Sequence, residues 1–283
     1  MRIQGIHTAM ITPFHENGDL DLTTYTALCK RQLDLGIHGL VACGTTGETP
    51  TLSLDEQEEV LRATLEVATG KVPVTMGVGT NNTRTTISRI ERAAAVGADI
   101  GLLVFPYYNK PNPTGHLAHV EACCRVGLPV VLYHVPGRTG QRLDGALLRQ
   151  LCEVSGVVAI KEATGDVAFA QALVHSVDIP VLSGDDFTMA ALIAIGGQGV
   201  ISVVSNVAPS QTTRLVQAAI DGDMAALQQM NRELQPLISY LFSDVNPAPT
   251  KAVMAELGLC KNELRLPLMP CAPPGRALLE GLQ

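Results

Sequence analysis

The chain has no tryptophan and only five tyrosines and five phenylalanines among its 283 residues. Its core cannot be assembled around large rings and must be packed from Ala, Val, Leu and Ile. No CxxC pair occurs. The seven cysteines (Cys29, Cys43, Cys123, Cys124, Cys152, Cys260 and Cys271) are odd in number and irregularly spaced, which argues against a disulfide framework and points to free thiols in a reducing cytoplasm. No stretch approaches the roughly 20 apolar residues needed to cross a bilayer, and Met1-Arg2-Ile3-Gln4-Gly5 runs into a strand without a signal-like apolar region. A cytoplasmic protein with no membrane partner is therefore expected. Basic runs are missing and the formal charge is −7, so sequence-independent binding of nucleic acid is not expected. The first strand ends in Ile11-Thr12-Pro13-Phe14 rather than GxGxxG or GKS/T, and no G-x-S-x-G elbow occurs.

What is present is a hydrophobic content of 46% against 17% charged residues, enough for a large buried core. Short apolar runs alternate with longer amphipathic ones. Strands are expected at about Gly5–Thr12, Gly39–Cys43, Val72–Gly77, Ile100–Phe105, Val130–Tyr133, Val157–Lys161, Val181–Ser183 and Gly199–Val203. Most of these are apolar throughout rather than alternating, which implies burial on both faces and hence a parallel sheet covered by helices. Among the intervening helices, Leu54–Thr69 is preceded by Ser53 with Glu56 three residues on, the pattern of a capping box; Thr83–Val96 and Asp144–Glu153 follow. Eight strand–helix units match a closed (β/α)8 TIM barrel, with a doubly wound sheet as the other architecture open to the pattern. Beyond Val203 only helices are expected, at about Pro209–Ile220, Met224–Leu241 and Ala248–Leu257. The division is a catalytic barrel over residues 1–223 and a small C-terminal helical appendage over 224–283.

Lys161 closes the apolar run Val157-Val158-Ala159-Ile160-Lys161. A lysine that gives up solvation at the mouth of a buried strand favours its neutral amine, the form that attacks carbonyls to make Schiff bases. A strand-end lysine can also snorkel to water. One strand earlier, Val130-Val131-Leu132 ends in Tyr133. Neighbouring strands lie about 4.8 Å apart, so phenol and amine can meet, and a phenol beside an amine can shuttle protons.

Further groups stand at strand ends, where barrel chemistry gathers. Gly44-Thr45-Thr46-Gly47-Glu48 can aim N–H groups and hydroxyls at a carboxylate, or serve only as a turn. Pro106-Tyr107-Tyr108-Asn109 carries adjacent tyrosines pointing in different directions, one available to a site and one to an interface. Arg138 is a forked cation on a Pro/Gly-stiffened loop, suited to a carboxylate. Asp185 and Asp186 are expected to cap a helix starting near Phe187. His116 and His119 share a helix face without an evident third ligand, so no metal is expected, and Cys43 reads as a small core hydrophobe.

Four motifs in this order and spacing (Gly44-Thr45-Thr46-Gly47-Glu48, Pro106-Tyr107-Tyr108-Asn109, Tyr133 through Gly140, and Ile160-Lys161-Glu162-Ala163-Thr164-Gly165) resemble the pyruvate-dependent class I lyases. That superfamily includes N-acetylneuraminate lyase and 4-hydroxy-tetrahydrodipicolinate synthase, and the likeness to the synthases is the closer. It runs from Gly5 to Asn246-Pro247-Ala248-Pro249-Thr250-Lys251 and Leu264-Arg265-Leu266-Pro267. The resemblance implies that Lys161 forms an imine with pyruvate, that Tyr133, Thr45 and Tyr108 make a proton relay with Tyr108 donated across a tight dimer interface, and that Thr45 and Thr46 hold the pyruvate carboxylate. It further implies that Arg138 binds the carboxylate of aspartate-4-semialdehyde, that Gly184 and Ile201 supply pocket backbone, that no metal or organic cofactor is needed, and that the chain is a homotetramer built as a dimer of dimers.

Two departures stand out. His134 replaces the asparagine usual among the synthases, and its side chain is expected to face away from Tyr133, with little effect on the chemistry. In lysine-inhibited relatives an interface cleft uses histidines and a glutamate; here those positions are Leu54, Gln57 and Thr85, while Asn81 and Tyr107 are kept. Without the acid, an inhibitor's ammonium lacks a charge-assisted hydrogen bond of roughly 1.5–3 kcal/mol, so inhibition by lysine is expected to be weak or absent. The competing readings are a sister lyase or dehydratase acting on a sugar acid or another 2-keto acid, which Arg138 disfavours; a catalytically silent scaffold, which retention of Lys161 and Tyr133 disfavours; and a phosphate- or flavin-binding barrel, which Asp185 and Asp186 disfavour.

Overall fold

A computed structural model describes residues 3–280 and 282. Eight parallel strands, β1 (Gly5–Ala9), β2 (Gly39–Ala42), β3 (Val74–Gly77), β4 (Ile100–Val104), β5 (Val130–His134), β6 (Val157–Glu162), β7 (Val181–Ser183) and β8 (Gly199–Ser202), pair in sequence order. β8 returns to β1 through Gly5↔Gly199 and His7↔Ile201, closing the barrel. The helices are α1 (Leu22–Asp34), α2 (Leu54–Ala68), α3 (Thr83–Val96), α4 (Pro113–Cys124), the single turn α5 (Pro136–Thr139), α6 (Gly145–Cys152), α7 (Val167–Val174), α8 (Met189–Ala194), α9 (Pro209–Asp221), α10 (Met224–Leu241), α11 (Ala248–Glu256) and α12 (Arg276–Leu279).

The strands are apolar throughout because both faces are covered. Inward side chains, among them Val41, Ile100, Leu102, Val131, Ala159 and Leu182, form one cluster that fills the barrel. Outward ones, such as Leu40, Val74, Leu103, Leu132 and Ile160, join the helices in a second and larger cluster. Each fully buried Val, Leu or Ile contributes about 1.5–3 kcal/mol, so the barrel is held from within and without. The alternation is broken once. Val130 pairs with Val157 but Val131 pairs with Ala159, which leaves Val158 as an extra residue on β6. Val157 belongs to the outer cluster, whereas both Val158 and Ala159 meet the inner one.

Helix ends follow local chemistry. Ser53 and Glu56 form the expected capping box, with Glu56 N–H donating to Ser53 Oγ at 3.2 Å and Ser53 N–H to Glu56 Oε2 at 2.7 Å. Asn82 caps α3, which ends at Gly97 with φ 112°. Four strands (β1, β2, β4 and β8) stop a residue or more short of the expected ends, β3 and β7 end as expected, and β5 and β6 run one residue further, to His134 and Glu162. β1 ends at Ala9 because its pairing with β2 ends there; beyond it, Ile11 N–H turns to Asn206 Oδ1 at 3.2 Å. The double-acid cap is only half realised. Asp185 Oδ1 accepts from Phe187 N–H at 3.1 Å, but Asp186 Oδ2 accepts from Val203 and Val204 N–H at 2.8 and 3.0 Å, tying the β7 loop to β8, and α8 starts later, at Met189. α10 packs along α9, and α11 follows on the side of the strands' C-terminal ends.

Candidate active site

Tyr133 and Lys161 are register partners on β5 and β6. Both point inward and are 6% exposed, and Lys161 Nζ lies 4.2 Å from the centroid of the Tyr133 ring. They open on a cavity of about 350 Å³ at the C-terminal end of the barrel, which Thr45, Thr46, Arg138 and Gly184 also line. Among the described residues no carboxylate stands within ion-pair distance of Lys161. Gly184 is required where it stands. A Cβ there would lie 2.8 Å from Lys161 Cε and 2.7 Å from Ala163 Cβ, so any side chain would push the lysine stem aside.

The loop bearing Thr45 and Thr46 is built tightly. Cys43 and Glu48 flank it in left-handed backbone at φ 51° and 54°, a conformation costly for residues with a Cβ and held only where the surroundings over-determine it. Thr12 Oγ1 donates to Gly47 O at 2.8 Å, and Thr49 Oγ1 donates to Gly44 O at 2.8 Å. On β3, Gly77 lets the loop approach: a Cβ there would sit 1.9 Å from the Cys43 carbonyl oxygen.

Two parts of this support escaped the reading of the sequence. Glu48 is locked by Lys251 of α11, whose Nζ lies 2.5 Å from Glu48 Oε1 with both side chains fully buried. Lys251 also donates to Glu263 O at 2.7 Å, and Arg265 N–H donates to Glu48 Oε2 at 3.1 Å. The available signal was a lone cation inside the apolar helix Ala248-Pro249-Thr250-Lys251-Ala252-Val253-Met254. The second part is Asn246, whose Nδ2 donates to Thr46 Oγ1 at 2.9 Å while the residue lines the cavity beside Asp244 and Val245. The C-terminal segment thus forms one wall of the site.

Other expected residues lie elsewhere. Ile201 fills the barrel interior and does not line the cavity; Val203, two residues on and therefore one layer higher on the same face, takes that place. Tyr108 is 87% exposed, with φ 72°, and Tyr107 is 38% exposed; neither lines the cavity. Asn81 accepts at its carbonyl from Asn109 Nδ2 at 2.8 Å. A narrow cleft between α2 and α3 is lined by Leu54, Gln57 and Arg89. His134 points outward, buried between the rings of Phe105 and Phe169. His116 and His119 are committed to hydrogen bonds, to Gln141 Oε1 at 3.0 Å and Thr83 Oγ1 at 2.9 Å.

Comparison with known proteins places this geometry. The chain matches the Dihydrodipicolinate synthetase family over residues 2–280. It belongs to that family. A 4-hydroxy-tetrahydrodipicolinate synthase from Nitratidesulfovibrio vulgaris is 41% identical, over all of this chain and 98% of the relative. Among solved structures, the chloride-inhibited dihydrodipicolinate synthase from Acinetobacter baumannii, in complex with pyruvate, superposes with a TM-score of 0.94 at 38% identity, covering 99% of this chain and 96% of that one. A structure described as the first monomeric dihydrodipicolinate synthase variant gives 0.93 at 40% identity, covering 99% and 94%. The (β/α)8 barrel, the lyase class and the family membership expected from the motifs all hold.

Proposed function

We propose that this protein condenses pyruvate with L-aspartate-4-semialdehyde to 4-hydroxy-tetrahydrodipicolinate, the first committed step of the diaminopimelate route to lysine. The observation that carries this reading is Lys161: a buried amine with no carboxylate within ion-pair distance among the described residues, facing a phenol at a cavity that also presents two hydroxyls and a guanidinium. Names of relatives at about 40% identity support the choice of substrates.

The chemistry follows from the placement of the groups. The Lys161 amine adds to the pyruvate carbonyl and expels water, giving an imine, while Thr45 and Thr46 hold the carboxylate. The protonated imine is an electron sink, so the reaction calls for no metal or organic cofactor. Loss of a methyl proton gives an enamine, whose carbon attacks the aldehyde. The new alkoxide takes up a proton, with Tyr133 as the nearby phenol. The amino group of the second substrate then attacks the imine carbon and releases Lys161, closing the ring. Arg138 orients the second carboxylate, and Gly184 keeps the lysine stem in line. Ile201 contributes beneath the pocket rather than at its wall.

Tyr108 completes the relay only if supplied by a second copy, consistent with its exposure in one chain. A homotetramer made of two such pairs, with Tyr107 and Asn81 at the tight interface, fits this reading, as does a cytoplasmic location. The barrel over 1–223 would carry the chemistry, and 224–283 would brace it. Treatment with pyruvate and borohydride tests the proposal: the peptide carrying Lys161 is expected to gain a reduced three-carbon adduct. A screen of aspartate-semialdehyde against sialic acid and keto-deoxy sugars tests the second substrate. An unmodified Lys161, or turnover of a sugar acid in preference to the semialdehyde, overturns the reading.

A further inference from the structure

Arg138 has no ion-pair partner among the described residues and is exposed on the single turn α5. Nothing at its own guanidinium fixes its position, so any precision at the site has to come from the backbone that carries it. That backbone is the nine-residue excursion from Val135 to Leu143, and its far end is fastened to the strand it left: Leu143 N–H donates to His134 Nε2 at 3.2 Å, in a buried bond. The acceptor role of Nε2 puts the proton of the neutral ring on Nδ1, which faces Glu162 Oε1 at 3.7 Å. The His134 carbonyl meanwhile accepts from Ala163 N–H at 2.9 Å, two residues beyond Lys161. A second histidine holds the same loop: His116 Nε2 donates to Gln141 Oε1 at 3.0 Å, and Gln141 Nε2 donates onward to Pro111 O at 3.0 Å.

We propose that His134 is a positioning residue for the second substrate, fastening the loop that holds Arg138, with His116 and Gln141 as the second fastening. This rests on the reading that Arg138 takes the second carboxylate. The imidazole is the acceptor that closes the loop, and the outward faces of β5 and β6 thereby act on substrate selection without touching substrate. Ring packing against Phe105 and Phe169 alone would demand only an aromatic of similar volume; the hydrogen bond demands an acceptor.

The test uses His134→Phe, which keeps a ring and removes the acceptor, and His134→Gln, whose amide oxygen can accept from Leu143 N–H. The phenylalanine variant is expected to raise KM for aspartate-semialdehyde about tenfold, the scale of one buried hydrogen bond left unmade, with pyruvate KM and the rate of borohydride trapping at Lys161 unchanged. The glutamine variant is expected to recover most of that loss. Gln141→Leu is expected to give the same split at a smaller size, and it serves alone if the phenylalanine variant does not fold. Equal behaviour of the phenylalanine and glutamine variants, an equal rise for both substrates, or no change in either overturns the proposal. Arg138→Met is the control. If it leaves the semialdehyde KM unchanged, the assignment of Arg138 is at fault; if it raises that KM while His134→Phe does not, only the positioning role fails.

Discussion

Two buried lysines divide the work of this molecule. Lys161 and Lys251 each place Nζ 4.2 Å from an aromatic centroid, Tyr133 for the first and Phe14 for the second. Lys251 is the more deeply buried, yet it is saturated by the Glu48 carboxylate and the Glu263 carbonyl. Burial pushes its ammonium below the usual lysine value, and Glu48 pulls it back. Lys161 has a cavity before it and, among the described residues, no carboxylate within ion-pair distance, although Asp185 and Asp244 line the same cavity. Burial by itself does not make a nucleophile: a paired cation in a closed interior is a brace, and an unpaired one at an opening is a reagent.

The contrast can be broken in stages. Lys161→Ala is expected to abolish both the borohydride-trapped adduct and turnover while leaving the fold intact, read by mass spectrometry and circular dichroism. Tyr133→Phe is expected to lower kcat by about 10²–10⁴-fold, the scale of a lost proton-transfer group, with the adduct still detectable at long times. Lys251→Met leaves Glu48 buried without its partner, a change that costs about 3–5 kcal/mol and about 10 °C in melting temperature for a chain of this size. Glu48→Gln in the same background is expected to recover part of the melting temperature, and neither change should move the pyruvate label away from Lys161. A label appearing on Lys251 after Glu48→Gln alone would show that pairing, rather than the lack of an opening, keeps that amine silent.

A smaller effect concerns acid. Burial holds His7 and His119 at about 4, below the ordinary value of 6.5. The unfolded chain therefore binds more protons than the folded one between those values. The stability from keeping both rings neutral is full above pH 6.5 and is lost as pH falls through about 4. Melting temperature is expected to decline across that window and to decline less in His119→Gln. The smallest effect is regulatory: half-inhibition by lysine is expected only above the millimolar range, since the cleft between α2 and α3 offers Leu54, Gln57 and the cation of Arg89, and the acid that lines it, Glu58, is already paired with Arg92. Sub-millimolar inhibition would reject that.

The difference between the two lysines also marks what could be read from the chain. Lys161 was legible because it closes an apolar run, and Tyr133 because it does the same one strand earlier, although β6 and β5 each continue one residue further. Thr45, Thr46, Arg138 and Gly184 were legible as strand-end residues, and all four line the cavity. Lys251 was not, because its partner stands 203 positions away and an amphipathic pattern cannot announce a bond between positions so far apart in the sequence. Asn246 and the bridging half of Asp186 were hidden for the same reason. Ile201 came from the resemblance, as pocket backbone; its side chain fills the barrel interior below the residues that line the cavity.

Val158, the surplus residue of β6, shifts the parity of that strand. Counted strictly by twos from outward-facing Val157, position 161 would turn toward the helices and Glu162 toward the barrel axis. The doubled inward step at Val158 and Ala159 reverses this and delivers the amine, instead of a carboxylate, to the axis. A local irregularity more than two residues upstream therefore decides the sign of the charge that an incoming keto acid meets.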